Sequence, residues 1–239
     1  MKAITAKERS GRIRKGVFKY LSVKVLVISA LFLVSLYGFI LIVHEAVLKD
    51  EQTFDDKVFD FFAAHSSPRF IQVMRYFTFF GSHTFLIPAY LVVISFYLFR
   101  KKYRSALHIT IIGISSTLLM FGLKEVFARS RPDLPLVESL TNNYGFPSGH
   151  ALSSFIFFGM FIYIIWHSTR MPGIYKWISI PLVFAFTLTV AMSRVVLRVH
   201  YPTDVIASYC LGNLWTVLSL EVMRKISRKR QLNVAPHAG

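Results

Sequence analysis

Long apolar runs, separated by short polar or charged segments, dominate the chain. Val25 to Val43 carries no charge and is long enough to cross the ~30 Å hydrocarbon core of a bilayer as a helix. Comparable runs recur at Ser105–Leu123, Ala151–Trp166, Ile174–Met192 and Val205–Leu220. A shorter one, Thr84–Phe99, extends backwards through Phe77–Phe80. The pattern predicts an all-α, polytopic membrane protein with six transmembrane helices, of which the second has the weakest signal. A soluble bundle of buried helices would not need so many uncharged runs near the spanning length. A long basic segment ahead of Val25, the long apolar core and the lack of a prompt small-x-small site all argue against a cleaved signal peptide.

Charge sharpens this picture. The 239 residues are 54% hydrophobic and carry a formal net charge of +16. The positive residues are clustered: Lys2 to Lys24 before the first span, Arg100 to Arg104 after the second, Arg170 and Lys176 between the fourth and fifth, and Arg224 to Arg230 after the sixth. With six crossings every cluster falls on one side, which the positive-inside rule makes cytoplasmic. Both termini are then cytoplasmic, and the expected layout is a basic segment over 1–24, a membrane domain over 25–223 and a basic tail over 224–239. This distribution speaks against nucleic acid as a partner and for a lipid bilayer, whose anionic headgroups the tails could also touch. The lone Cys210 excludes an internal disulfide and a cysteine metal site.

The opposite, outer face receives three segments, His44–His83, Ala128–Gly149 and Val195–Asp204. Phe54, Val58, Phe61 and Phe62 recur at helical spacing in the first, which predicts a short amphipathic helix, either lying in the interface or packing over the bundle. The chemistry-bearing residues collect on this face. Lys124 ends the third span, Ser148, Gly149 and His150 open the fourth, Arg194 ends the fifth, and His200 and Asp204 lead into the sixth. Topology thus gathers residues eighty positions apart at one membrane depth.

Each string has its own chemistry. Lys124 and Arg131 suit the non-bridging oxygens of a phosphate, one as a point charge and one as a planar fork. Taken alone they could also be interfacial anchors, and Arg129 is read that way. In Pro147-Ser148-Gly149-His150, glycine allows close backbone approach and a helix start offers free N–H groups to an anion. Ser148 can cap that helix or bond a phosphate oxygen, and His150 is placed to protonate a departing oxygen. Asp204 lies four residues after His200, close enough to fix one imidazole nitrogen and leave the other as a nucleophile. Asp133 and Glu138 are isolated, so no acidic metal cluster is expected. His44, His65, His83, His108, His167 and His237 fit no motif and are read as interfacial or structural.

The strings Lys124-x6-Arg131-Pro132, Pro147-Ser148-Gly149-His150 and Ser193-Arg194-x5-His200-x3-Asp204 resemble the signature of the type 2 phosphatidic acid phosphatase superfamily at every defining position. The resemblance implies His200 as nucleophile, Asp204 as its orienting partner and His150 as general acid and then base. It also implies Lys124, Arg131, Ser148, Gly149 and Arg194 as phosphate ligands, with no metal or other cofactor. Length and span count point to the bacterial lipid phosphatases acting on a membrane lipid phosphate. Undecaprenyl pyrophosphate is favoured slightly over phosphatidylglycerophosphate, with lipid A as an alternative. Two rivals stay open: a phosphotransferase with the same phosphoenzyme, and a non-catalytic membrane protein. The strings leave the oligomeric state open.

Overall fold

The computed structural model describes residues 6–133, 135–136 and 144–234. Side chains before Val23 and those of Lys24, Arg224 and residues 227–234 are outside the description, as are Glu138 and His237. The described residues form eight α-helices: α1 (Ala6–Ile42), α2 (Thr53–His65), α3 (Pro68–Phe79), α4 (His83–Phe99), α5 (Tyr103–Phe127), α6 (Gly149–His167), α7 (Gly173–Val196) and α8 (Pro202–Val234). A wider helical turn, Val43–Leu48, prolongs α1. The chain is a multi-span membrane protein. Five helices are long and apolar enough to cross a bilayer, and a sixth is counted when α3 and α4, bent by 41° at their junction, are taken together.

The bend refines the second span. Ser82 ends the turn after α3 and caps α4 by accepting from Phe85 N at 3.3 Å, so the chain changes direction where the sequence suggests a continuous run. α4 alone covers 17 residues, or about 25 Å of rise. Its neighbours show that it travels the same depth as α6. Gly81, just before α4, lies against His150 at the start of α6. Midway, Tyr90 packs edge-on to Phe157 with centroids 4.8 Å apart, and Tyr97 shares a far-end cavity with Tyr163. The crossing therefore belongs to α4, while α3 lies over the end of α7 through Met74, Val196, Leu197 and Val199.

The core is a column of apolar side chains between α5, α6 and α8, including Ile112, Met120, Leu152, Ile156 and Leu211. α6 packs along α7, and α1 runs beside α8, where Asn213 Nδ2 donates to Ser35 Oγ at 2.9 Å. The outward faces stay apolar, with Leu26, Val34, Leu118 and Leu182 exposed toward lipid. Helix α2 buries Phe59 against Ala191, Val195 and Val205 and leaves Phe54 and Phe61 exposed, so it packs and also presents an apolar outer face.

Candidate active site

Helix ends build the site. Lys124 sits in the last turn of α5, and Ala128, in a left-handed conformation (φ 45°), terminates that helix and turns the chain toward Arg129 and Arg131. Ser148 immediately precedes α6, Arg194 occupies the last turn of α7, and Asp204 the first turn of α8. The starts of α6 and α8 are tied together. Ser148 N donates to the Asp204 carbonyl at 3.4 Å, and Ser208 Oγ lies 2.7 Å from that carbonyl and 3.1 Å from the carbonyl of Ser148.

The eight residues expected from the motifs come together here. His200 Nδ1 faces Asp204 Oδ2 at 3.5 Å, both side chains almost wholly buried. That separation is an ion-pair contact rather than a formed hydrogen bond. Asp204 instead makes its short bonds elsewhere, with Tyr201 N donating to Oδ2 at 3.0 Å and Arg129 Nη1 to Oδ1 at 2.6 Å. The two residues are juxtaposed by the first turn of α8, since Pro202 and Thr203 already belong to the helix. Lys124 Nζ donates to the Tyr144 carbonyl in the segment before α6, and Arg131 Nη1 donates to the Val199 carbonyl at 3.3 Å, beside His200. Arg194 Nη1 donates to Thr78 Oγ1.

Three of the motif residues carry a buried polar atom with no hydrogen-bond partner: Ser148 Oγ, Arg194 Nε and His200 Nδ1. Native interiors leave few such atoms unsatisfied, and their concentration at one point marks a place shaped for a polar ligand. Ser148 resolves one alternative left by the sequence, because its side chain makes no cap bond to α6 although it stands at the capping position. Gly149 is required by packing as well, since a Cβ there would meet Met120 Sδ at 2.8 Å.

Electrostatics agree with an anion site. Burial holds the His200 imidazole well below its ordinary range, and Arg194, Arg131 and Lys124 push it further the same way. The ring is therefore neutral at neutral pH, with a lone pair to use. Burial also lowers Arg131, against the pull of Asp204. His150 stands among Arg194, His200, Arg131 and His83 as electrostatic neighbours. His83 thus lies beside the cluster, a neighbour that its lack of motif did not signal.

The structure corrects the reading of Arg129. It is no interfacial anchor but a buried guanidinium whose Nη2 donates to Asp55 Oδ2 at 3.1 Å while Nη1 holds Asp204. Asp55, from α2, is fully buried and also accepts from Thr203 N at 2.9 Å and Thr203 Oγ1 at 2.6 Å. Nothing local in the sequence separates Asp55 from Asp56 or Asp60, because its partners lie seventy and more positions away. Phe146, just before the Pro147–His150 string, is buried between Phe39 and Phe127 and belongs to the core. Among the described residues no group of three or more His, Cys, Asp or Glu side chains could hold a metal ion.

Known proteins share this architecture. The profile of the PAP2 superfamily matches residues 105–228. Phosphatidylglycerophosphatase B of Bacillus subtilis (strain 168) is 29% identical over 201 residues, covering 83% of this chain and 98% of that protein. Among solved structures, the transmembrane PAP2-type phosphatidylglycerolphosphate phosphatase from Bacillus subtilis superposes with a TM-score of 0.70 at 26% identity, over 83% of this chain and 96% of that one. Aquifex aeolicus LpxE shares the fold, with a TM-score of 0.53 at 20% identity over 69% of this chain and 93% of its own.

Proposed function

The chain belongs to the PAP2 superfamily and is a metal-independent membrane lipid phosphatase; on that premise we propose that it hydrolyses the phosphate monoester of a glycerophospholipid through a phosphohistidine on His200. The observation that carries the mechanism is the buried His200–Asp204 pair beneath three cations, next to the unpartnered Ser148 hydroxyl and Arg194 Nε.

Asp204 faces Nδ1, which leaves Nε2 of His200 to attack phosphorus. As the P–N bond forms, the P–O bond to the lipid breaks and His150 gives its proton to the departing oxygen. Water then loses a proton to His150 and attacks phosphorus, the P–N bond breaks, and inorganic phosphate leaves with His200 restored. Lys124, Arg131 and Arg194 balance the charge on the non-bridging oxygens, while Ser148 Oγ and the α6 N-terminus at Gly149 donate to them. The same roles follow from the family signature these residues match.

Phosphatidylglycerophosphate becomes the first substrate to test, ahead of the polyprenyl pyrophosphate that sequence alone slightly favours, because it names the activity of the Bacillus subtilis relative. The basic clusters support a site at the outer face with both termini cytoplasmic, and a catalytic membrane domain over 25–223 between basic segments 1–24 and 224–239.

The test is phosphate release by detergent-purified protein, in chelator, from phosphatidylglycerophosphate, undecaprenyl pyrophosphate, phosphatidic acid and lipid A, with His200→Ala alongside. Release from phosphatidylglycerophosphate that the variant loses supports the proposal. Preference for another lipid replaces the substrate and keeps the mechanism. Release retained by His200→Ala removes His200 as nucleophile. No release from any lipid by folded protein directs the search to a phosphoryl acceptor other than water.

A further inference from the structure

Two residues apart in the chain, Arg129 and Arg131 have different surroundings. Arg131 reaches the carbonyl of Val199 beside the nucleophile. Arg129 is held by two carboxylates, Asp55 at 3.1 Å and Asp204 at 2.6 Å, and lies over the Tyr201 ring at 4.2 Å. Its side chain is 5% exposed and both carboxylates are fully buried. Thr203 completes the ring of contacts, its hydroxyl lying 2.9 Å from Arg129 Nη1 and 2.6 Å from Asp55 Oδ2.

We infer that Asp55 and Arg129 are positioning residues for the nucleophile: together they fix the Asp204 carboxylate so that Oδ1 is occupied by the guanidinium and Oδ2 is presented to His200 Nδ1. This rests on the assignment of His200 as nucleophile. Each half of the pair has its own task. Arg129 keeps a cation against Asp204 and so favours its ionised form. Asp55 takes a share of that cation through Nη2, so that Asp204 keeps enough negative charge to stabilise the imidazolium that forms when His200 takes up phosphorus. Asp55 also bonds the backbone N–H of Thr203, the residue before Asp204, and thereby sets the carboxylate's origin as well as its charge. Burying a second carboxylate adds a desolvation cost that its bonds from Thr203 and Arg129 offset only in part. Burial indeed raises the Asp55 carboxyl above its ordinary range, against the pull of Thr203 and Arg129.

The charged groups around the His200–Asp204 pair are Arg129, Lys124, Arg131 and Arg194, with Asp55 behind Arg129 and His150 and Tyr201 beside the rings. Four cations around the His200–Asp204 pair make the sharing of Arg129 consequential. It is the cation bonded directly to Asp204 and also to a second carboxylate.

The experiment compares Asp55→Asn, Arg129→Gln and the double variant with the wild-type protein, reading kcat, KM and the pH dependence of kcat/KM, with His200→Ala beside them. Asn keeps an acceptor for Thr203 N, removes the charge and puts an amide donor where Oδ2 accepted from Arg129 Nη2 and Thr203 Oγ1. Each single variant is expected to lose roughly tenfold to a hundredfold in kcat, the range seen when partners behind a primary ligand are removed. KM should change little, since neither residue contacts phosphate. The acidic limb should move in opposite directions. It moves to higher pH in Arg129→Gln, where Asp204 loses its cation, and to lower pH in Asp55→Asn, where that cation falls undivided on Asp204. The double variant should lose less than the product of the two single losses. A structural role predicts lower thermal stability with both limbs in place, and that result overturns the inference. Should Asp55→Asn not fold, Asp55→Glu keeps the charge and displaces it; a wild-type kcat in that variant overturns the inference equally. Activity retained by His200→Ala would instead defeat the nucleophile assignment, and this inference with it.

Discussion

One end of the helix bundle gathers Asp55, Lys124, Arg129, Ser148, Arg194, His200 and Asp204 in its interior, whereas the other has an open-sided cavity of about 460 Å³ lined largely by apolar and aromatic side chains such as Tyr97, Ile112, Met160 and Met223. The helices are the same in both places, so the difference lies in what holds them. At the polar end, bonds crossing between α2, α6, α8 and the segment after α5 set the helix ends to within bonding distance. At the cavity end the lining is mainly apolar, with Ser105, His108 and Thr216 among it, and no ion pair between helices fixes it among the described residues. Position is enforced where chemistry needs it and left slack where it does not. Directional bonds, unlike apolar contacts, have a narrow range of acceptable geometry.

Changes at the polar end should therefore act on rate. The largest effect is expected from His200→Ala, which should reduce phosphate release by about 10⁴-fold or more, as removal of other covalent nucleophiles does. Acid-quench detection of a phosphoenzyme in wild-type protein but not in the variant checks the same step. Gly145→Ala comes next. A Cβ there would sit 3.0 Å from the Ser130 carbonyl oxygen and 3.3 Å from Asp204 Oδ2, pressing on the carboxylate that faces His200. Displacement of a reacting group on that scale is expected to reduce kcat by about a hundredfold. A rate loss confined to KM would mean the carboxylate had not moved.

Ser148→Ala separates rate from stability most directly. The hydroxyl has no partner in the folded protein, so its removal should leave the melting temperature unchanged or raise it. Yet the loss of a bond to a charged phosphate should cost about 1.5–3 kcal/mol in the transition state, roughly tenfold to a hundredfold in rate. Equal loss of stability and rate would show the hydroxyl to be structural. A smaller effect concerns pH. The neutral fraction of an ordinary imidazole, with its pKa at 6.5, would fall about threefold between pH 7 and pH 6. His200 lies well below that value, so its own protonation should lower kcat/KM less than twofold between pH 7 and pH 6. The smallest effect belongs to the cavity end. Gly159 lines that cavity and a Cβ there meets nothing within 4 Å, so Gly159→Ala should stabilise α6 by about 0.5–1 kcal/mol and leave activity unchanged. A rate change from Gly159→Ala would break the contrast between the two ends.

What was legible in the sequence follows from range. Uncharged runs of spanning length are a local property, because each must satisfy its own backbone in lipid, and five of the six spans fall on helices at nearly the expected places. Motif residues are readable for a related reason: Lys124, Ser148, Arg194 and His200 sit at helix ends, and six crossings carry those ends to one depth. The weak second span was resolved only by tertiary contacts, in which Tyr90 against Phe157 identifies α4 as the crossing and Gly81 against His150 places its start at the site.

By itself the sequence determined the membrane class, the helical architecture and the family motifs whose residues the proposed site uses, since hydropathy and motif spacing act over tens of residues or less. The role of Arg129 was decided only by the tertiary structure. A buried guanidinium and an interfacial anchor look alike in a sequence, and what distinguishes them is the carboxylate opposite. Asp55 lies on a helix seventy-four positions earlier and Asp204 seventy-five positions later. Pairing between charges depends on distance through space, falling off within a few ångströms in water and persisting when both are buried, and chain position carries no record of it.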